Sequence, residues 1–277
     1  MPLTPFLTSI QAFARRNLKA ITWQKRLKRS LILEFWALPL WAKLIGKTPL
    51  YVLHINKAAG TSLRRAVKPK ACSKGTYFPI WTPHRVGMPD IPNNHPVAFF
   101  IRQPSSRMAS GFSHVMHKGA PHYAFEHTEA ERQAFERFHS FQELVDGTLS
   151  EDSDRKQDAL NAWNSIHHLT WSYTHFFQSE DYLQSQKHRI LFVGSMEDMA
   201  SDWSRFFRFL GAETPEMSRL NQSSDRKPLG PDADRALEQA HPNDLPIYFL
   251  LKSWSDLAAT NNHPTSRFEA CRTTMAS

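Results

Sequence analysis

The stretch "YVLHINKAAGTSLRRAV", residues 51–67, decides the fold of this chain. It begins with β-branched and aromatic residues that are typical of a buried strand. It continues through a turn of small residues that holds one lysine, and it ends in the start of a basic helix. Such a turn, between a parallel strand and a helix, lies where α/β sheets bind ligands. Its backbone N–H groups and the helix dipole favour a phosphate-like anion. The stretch therefore predicts an α/β fold with an anion-binding loop.

Further short apolar runs support a parallel sheet. The three runs that resemble buried strands are "PLYVLHI" (49–55), "PVAFFI" (96–101) and "RILFVG" (189–194). Helical periodicity follows each run, at 62–68, 105–117 and 196–210. A mostly helical block covers roughly 127–186, and a last helical stretch covers 231–256. Alternation of strands and helices predicts a P-loop-like three-layer fold, with a central parallel sheet flanked by helices.

Composition limits the classes of partner. The chain has 277 residues, a net charge of +8 and a pI near 9.6, which favours anionic ligands or surfaces. Nucleic acid ranks last among these, because the basic residues are spread out and no recognised reader motif occurs. Two cysteines, Cys72 and Cys271, make neither a disulfide framework nor a four-thiolate zinc site. We therefore expect a reducing, cytoplasmic location.

The N-terminal residues form a separate region. "ARRNLKAITWQKRLKR" is basic, and "SLILEFWALPLWAKLIG" is apolar and aromatic but short for a membrane span. One interpretation is a helical pair packed on the main domain. The other is a peripheral contact of residues 8–47 with an anionic membrane. We predict an N-terminal helical extension over 1–47, one domain over 48–257 and a polar tail over 258–277.

The turn in the opening stretch suits an anion. Ala59 and Gly60 let the backbone come close to a ligand, Lys57 supplies a mobile positive charge, and Thr61 or Ser62 can cap the helix. It is not a Walker A loop, because there the lysine follows the second glycine. The alternative is an ordinary strand–helix turn with a solvated lysine.

A second candidate anion site follows the next predicted strand. "FFIRQPSSRMASGFSHV" (99–115) places Arg102 at the end of the strand, Pro104 at a first helical position and Ser110 on the new helix. Arginine presents fork-shaped donors that match a phosphate group. Taken alone, Arg102 is equally consistent with a surface salt bridge. Two anion sites at one edge of a sheet predict a ligand with two separated phosphate groups.

Both motifs resemble those of one family. "HINKAAGTSL" resembles the H-I-x-K-[TA]-[AG]-G-T-S-L loop of sulfotransferases that use 3′-phosphoadenosine 5′-phosphosulfate (PAPS), namely the Golgi-type carbohydrate sulfotransferases and their bacterial relatives. "IRQPSSRMASGF" is similar to their second motif, R-[DN]-P-x-x-R-x-x-S-x-[FY]. The likeness extends more loosely over roughly 48–255. Two positions depart from the pattern: Asn56 stands where proline is common, and Gln103 where Asp or Asn is usual.

The resemblance implies transfer of a sulfuryl group from PAPS to an acceptor hydroxyl, most often on a carbohydrate, without a metal. It implies that Lys57 acts on the leaving oxygen and that Arg102 and Ser110 bind the 3′-phosphate. The backbone that would cradle the 5′-phosphate belongs to Ala59, Gly60, Thr61 and Ser62. The residues expected to close over the nucleotide are Asn221, Ser223 and Lys227, in "NQSSDRKPLG". For that segment a plain surface loop is the alternative.

The catalytic base is less clearly marked. "FPIWTPHRVGMPDIP" (78–92) contains His84, and many relatives have a histidine in this interval that is the proposed base. A neutral imidazole suits removal of a hydroxyl proton at pH 7. The alternatives are a loop histidine, a histidine that only orients the acceptor, or Asp90 as the base. His54, next to the anion loop, fits a packed core histidine.

Other histidine-rich and aromatic stretches give weaker signals. "HVMHKGAPHYAFEH" contains four histidines but no H-E-x-x-H, so we predict no metal site. "AWNSIHHLTWSYTHFF", with His167 and His168, is able to stack on a sugar ring or to form core.

Two other functions fit parts of the sequence. A P-loop-like nucleotide kinase is one, although the Walker order is missing. A non-catalytic protein that binds anions or glycans is the other. An enzyme loses turnover when Lys57 is removed, whereas a binding protein loses only affinity.

Overall fold

A computed structural model describes residues 33–67, 75–120, 125–217 and 229–260. The chain divides between Pro49 and Leu50 into two units, which are described separately. In the first unit, a π-helical turn at Leu33–Ala37 leads into helix α1 (Leu38–Leu44).

The sheet is parallel, which confirms the predicted α/β fold. Its four strands are β1 (Thr48–Leu53), β2 (Tyr77–Trp81), β3 (Val97–Ile101) and β4 (Ile190–Ser195). They lie in the order β2-β1-β3-β4. Val52 of β1 is opposite Ala98 of β3, and Phe99 of β3 is opposite Val193 of β4. In this order the carboxyl ends of β1 and β3 are adjacent, which brings the two predicted anion sites to one edge.

Helices flank the sheet. After β1 comes α2 (Gly60–Ala66), and after β3 comes α3 (Pro104–Met116). The block between β3 and β4 continues with α4 (Glu129–Arg137), α5 (Phe141–Thr148), α6 (Ser153–Ser165), α7 (His167–Thr170), α8 (Tyr173–Phe177) and α9 (Glu180–Gln186). After β4 come α10 (Met199–Phe209), α11 (Pro231–Ala240) and α12 (Asp244–Thr260).

Side chains of β3 show why the fold has three layers. Successive residues of a strand point to opposite faces of the sheet. Phe100 contacts Phe206 of α10, with 5.4 Å between ring centroids, whereas Phe99 contacts Phe177 of α8 at 4.9 Å. All five residues of β3 are buried. A strand that is buried on both faces has no polar side to alternate with, so it appears in the sequence as the continuous apolar run VAFFI.

The structure adds detail that the sequence patterns did not predict. Strand β2 lies in a segment for which we predicted no element. The last helical stretch, predicted as one piece over 231–256, is two helices, because α11 ends at Ala240 and α12 starts at Asp244. Pro242 between them has no N–H with which to continue the helical hydrogen bonds.

A buried arginine fixes the connection between β2 and β3. The guanidinium of Arg189 donates to the backbone carbonyls of Ile91 (3.1 Å), Pro92 (2.8 Å) and Met88 (2.9 Å). The segment is irregular, so its carbonyl groups have no hydrogen bonds from a neighbouring strand. The guanidinium of Arg189 supplies donors for them instead. The segment that carries His84 is therefore anchored at its far end.

Within the described ranges, no helix combines the length and apolar character needed to cross a membrane.

Candidate functional site

The anion loop has a strained backbone. Lys57 and Ala59 both have positive φ angles, 60° and 62°, which non-glycine residues rarely adopt. The amides of Gly60, Thr61 and Ser62 lie in the first turn of α2, where no helical carbonyl can accept from them. Strain of this kind is typical of ligand-binding loops.

Gly60 is required by a close contact. A Cβ atom on this residue would lie 1.9 Å from Cδ2 of His54. The His54 ring is buried, as predicted for a core histidine, and its burial and the nearby charge on His84 lower its pKa to about 3. At neutral pH His54 is an uncharged side chain that shapes the loop by packing against it.

Lys57 lies half-buried in this loop. Burial, together with the nearby charge of Arg102, lowers its pKa to about 8. Lys57 is therefore still mostly charged at pH 7. A lysine with this pKa donates a proton more readily than an ordinary one.

Arg102 reaches the same place from β3. Its Nη1 atom lies 3.4 Å from the carbonyl oxygen of Lys57, which joins the two predicted anion sites. The hydroxyl of Tyr173 accepts from the Arg102 N–H (2.9 Å) and donates to the Arg102 carbonyl (2.6 Å). Tyr173 is fully buried, so it holds the backbone of Arg102 from the interior.

Gln103, one of the two departures from the family pattern, caps α3. Its side-chain oxygen accepts from the Ser106 N–H (2.7 Å) and the Ser105 hydroxyl (2.8 Å). Asp and Asn are common at this position because they make the same bond. Gln103 thus keeps the capping role, and its amide group also donates to Asp234 at 2.7 Å. Ser110 lies two turns into α3, where it is partly exposed.

Asn56, the other position that departs from the family pattern, forms side-chain hydrogen bonds in the protein interior. Its Oδ1 accepts from Nη1 of Arg107 (2.8 Å), and its Nδ2 lies 3.0 Å from the His168 carbonyl oxygen, to which it donates. Arg107 in turn forms a fully buried ion pair with Asp244 at 3.1 Å. The second arginine of the "RQPSSR" motif is therefore a structural residue, and Asn56 ties it to the anion loop.

His84 follows the end of β2 and is held in one orientation. Its Nδ1 lies 2.9 Å from the carbonyl oxygen of His54. Since a carbonyl can only accept, Nδ1 bears the hydrogen, and Nε2 of the neutral ring keeps a lone pair for a proton. Burial lowers the pKa of His84; the bond to His54 opposes this shift, and the charges of Lys57 and Arg64 add to it.

Asp90 is poorly suited to be the base. It is exposed, and its Oδ2 atom already accepts from the Gly87 N–H at 2.8 Å. His84 therefore fits the role of base better than Asp90 does.

Rings surround His84. Trp171 stacks on it, with centroids 5.7 Å apart and planes at 23°, and His175 stacks on the same indole at 6.3 Å and 21°. Burial is the main cause that lowers the pKa of His114 to about 4, and the positive charge of Lys57 adds to this shift. His114 is thus a second neutral imidazole near the ammonium group.

His167 and His168, in the aromatic stretch, have structural partners. His168 is buried and bonded to Asn56, and burial lowers its pKa far below 6.5. His167 is held by Glu131, with 2.7 Å between Nδ1 and Oε1. Among the described residues, no group of three or more His, Cys, Asp or Glu side chains has the arrangement of a metal site.

Three predicted residues lie outside the described ranges: Asn221, Ser223 and Lys227. The others lie at or beside the carboxyl edge of the sheet, on the segments that follow β1, β2 and β3.

Sequence reasoning missed Tyr173, Asp244 and the structural role of Asn56. Tyr173 and Asp244 act on residues 71 and 137 positions away. Local periodicity has no signal for pairs of residues this far apart in the chain.

Comparison with protein-family models, with curated proteins and with solved structures gives no significant match to this chain.

Proposed function

We propose that this protein is a PAPS-dependent sulfotransferase, which transfers a sulfuryl group to an acceptor hydroxyl, with carbohydrate as the acceptor class that the resemblance favours. The observation that carries the proposal is the pairing of Lys57 with Arg102. The two residues follow different strands, both are partly or largely buried, and burial together with the charge of Arg102 lowers the pKa of Lys57. Two cationic side chains at the carboxyl ends of adjacent parallel strands suit a ligand that carries negative charge.

A nucleotide with phosphate groups at two positions fits this arrangement. The loop amides of Gly60 to Ser62 and the ammonium of Lys57 suit the 5′-phosphosulfate. Arg102 and Ser110, on the neighbouring segment, suit the 3′-phosphate. Asn221, Ser223 and Lys227 are proposed, on resemblance alone, to close over the nucleotide.

His84 and Lys57 supply the chemistry. His84 Nε2 takes the hydroxyl proton as the acceptor oxygen bonds to sulfur. Lys57 donates to the oxygen between sulfur and phosphorus as that bond breaks, so the charge developing there is stabilised. The products are the sulfate ester and adenosine 3′,5′-bisphosphate, and the proton remains on His84 until it passes to solvent. Like phosphoryl transfer, this reaction asks mainly for positioning and electrostatic stabilisation.

Calorimetric titration with adenosine 3′,5′-bisphosphate tests the nucleotide site, with AMP as the comparison ligand. We expect the bisphosphate to bind far more tightly than AMP, and Arg102→Ala to remove most of that preference. Arg65→Ala is the matched control, since Arg65 is exposed in the last turn of α2. Equal affinity for the two nucleotides, or none for either, would contradict the proposal.

A nucleotide kinase and a non-catalytic binding protein, the two competing functions, predict different results in binding and activity assays. A nucleotide kinase would bind ATP with magnesium and ignore the 3′-phosphate. A non-catalytic anion or glycan binder would hold sulfated ligands but give no radiolabelled product from PAPS with any acceptor.

A further inference from the structure

The first unit exposes a cluster of large apolar side chains. Trp36 is 76% exposed, Leu44 71%, Leu40 60% and Trp41 55%. We call these four residues the apolar face. They lie within nine consecutive residues, and in the stretch from Phe35 to Lys47 the sequence has no acidic residue. Contiguous exposed apolar side chains of this size mark an interaction surface.

The charge of the chain is concentrated in the same unit. Residues 1–49 contain nine of the 34 Lys and Arg residues and one of the 26 Asp and Glu residues. The rest of the chain therefore has 25 of each, with no formal net charge. The basic residues are spread along the chain as expected, but the net charge is not: the whole net charge of +8 belongs to the first unit.

We propose that the apolar face docks on an anionic phospholipid bilayer. Tryptophan is favoured at the boundary between headgroups and acyl chains, because its ring is apolar and its N–H is polar. Leu40 and Leu44 supply apolar area, and Lys43, exposed beside them, meets lipid phosphate. The excess of basic residues is attracted to acidic headgroups.

The charge pattern favours a bilayer over a second copy of this chain as the occupant of the apolar face. A second copy of this chain would bring its own net positive unit against the first, and like charges oppose association. An anionic bilayer can bury the apolar face and also attract the positive charge of the first unit.

Cosedimentation of the full chain with vesicles tests the proposal. We expect binding to vesicles of phosphatidylcholine mixed with phosphatidylserine, weak binding to phosphatidylcholine alone, and a loss of affinity as salt is raised. Trp36→Ala with Trp41→Ala should lower the affinity roughly tenfold or more. Lys43→Gln should lower it roughly fivefold.

Matched controls come from the second unit. Phe249 is 63% exposed and Arg208 is exposed, so Phe249→Ala and Arg208→Gln remove the same kinds of side chain elsewhere. We expect both to bind vesicles as the wild type does. All variants should keep the wild-type urea unfolding transition, which verifies folding by a measurement that is independent of the proposed activity.

Results of three kinds would overturn the proposal. The first is a lack of binding to the acidic vesicles, or unchanged binding by the double tryptophan variant. The second is a wild-type dimer in sedimentation velocity that the double variant converts to a monomer, which would assign the face to self-association. The third is resistance of the Trp36 and Trp41 emission to a water-soluble quencher without vesicles, which would mean that the chain itself covers the face.

Discussion

The hydroxyl group of Tyr173 exchanges hydrogen bonds with both backbone groups of Arg102, at 2.6 Å to the carbonyl and 2.9 Å to the N–H. Burial raises the pKa of Tyr173 well above its ordinary value, so the hydroxyl stays protonated. The bonds are made from α8, on the face of the sheet opposite α10. The proposed 3′-phosphate residue is thus set in place by a helix that is remote in sequence.

Removal of this hydroxyl should loosen the site. Tyr173→Phe removes both of these hydrogen bonds from buried backbone groups of Arg102, at a cost of about 1–3 kcal/mol in the free energy of unfolding. We also expect weaker binding of adenosine 3′,5′-bisphosphate with little change for AMP. Urea unfolding and calorimetry measure the two effects. Tyr77→Phe is the control, because the Tyr77 hydroxyl has no hydrogen bond among the described residues; an equal effect there would argue against the specific role of Tyr173.

Loss of Lys57 should separate binding from turnover. In Lys57→Ala we expect kcat to fall about 100–1,000-fold, because the charge on the leaving oxygen is no longer stabilised. Affinity for the bisphosphate should fall less than about tenfold, since Arg102 and the loop amides remain. Initial rates with PAPS and direct titration provide the comparison. Arg65→Ala should match the wild type in both, and a Lys57→Ala protein with normal turnover would refute the assigned role.

The rate should depend on pH in a bell shape. His84 must be neutral to accept a proton, and its pKa is lowered, so the acid limb lies below pH 6.5. Lys57 must be charged, and its pKa is about 8, so the rate falls as pH rises through that value. Profiles of kcat/KM against pH measure both limbs. The residual activity of His84→Gln should lack the acid limb; if that limb is unchanged, another group is the base.

The contact between Gly60 and His54 predicts a coupled pair. Gly60→Ala places a Cβ atom 1.9 Å from the His54 ring, and we expect it to destabilise the fold by about 1–3 kcal/mol. In a His54→Ala background the cost should fall, because the ring is gone. A double-mutant cycle by urea unfolding gives the coupling energy. Gly230→Ala is the control, as a Cβ there meets nothing within 4 Å; additive effects would show that the contact does not matter.

The ion pair of Arg107 and Asp244 should matter more than exposed pairs do. Both side chains are fully buried, and Asp244→Asn leaves the charge of Arg107 without its partner. We expect a loss of about 3–5 kcal/mol in the free energy of unfolding. Asp232→Asn breaks the exposed pair with Arg235 and should change stability little. Equal losses of stability in the two variants would mean that burial does not increase the effect of breaking the pair of Arg107 and Asp244.

Much of the candidate site was predictable because it is local in the chain. Lys57 and Gly60 share one turn with Thr61 and Ser62, and Arg102 begins the next strand–helix connection. Strand β2 was missed because "YFPIW" is short and contains a proline, which is typical of an edge strand and weakens the pattern. Its position at the edge of the sheet explains the proline, and its end brings His84 to the site.

The sequence alone determined the parallel α/β class, the turn of small residues between β1 and α2 and the donor types in that turn, since these follow from strand and helix periods and from residues a few positions apart. Tertiary structure decided that Arg102 reaches the Lys57 carbonyl, that the His54 carbonyl orients His84 and that Tyr173 holds Arg102. These partners are 45, 30 and 71 residues apart. Contacts at such separations arise only when the sheet order and helix packing are set, because burial leaves each polar group to be satisfied by whichever segment lies against it.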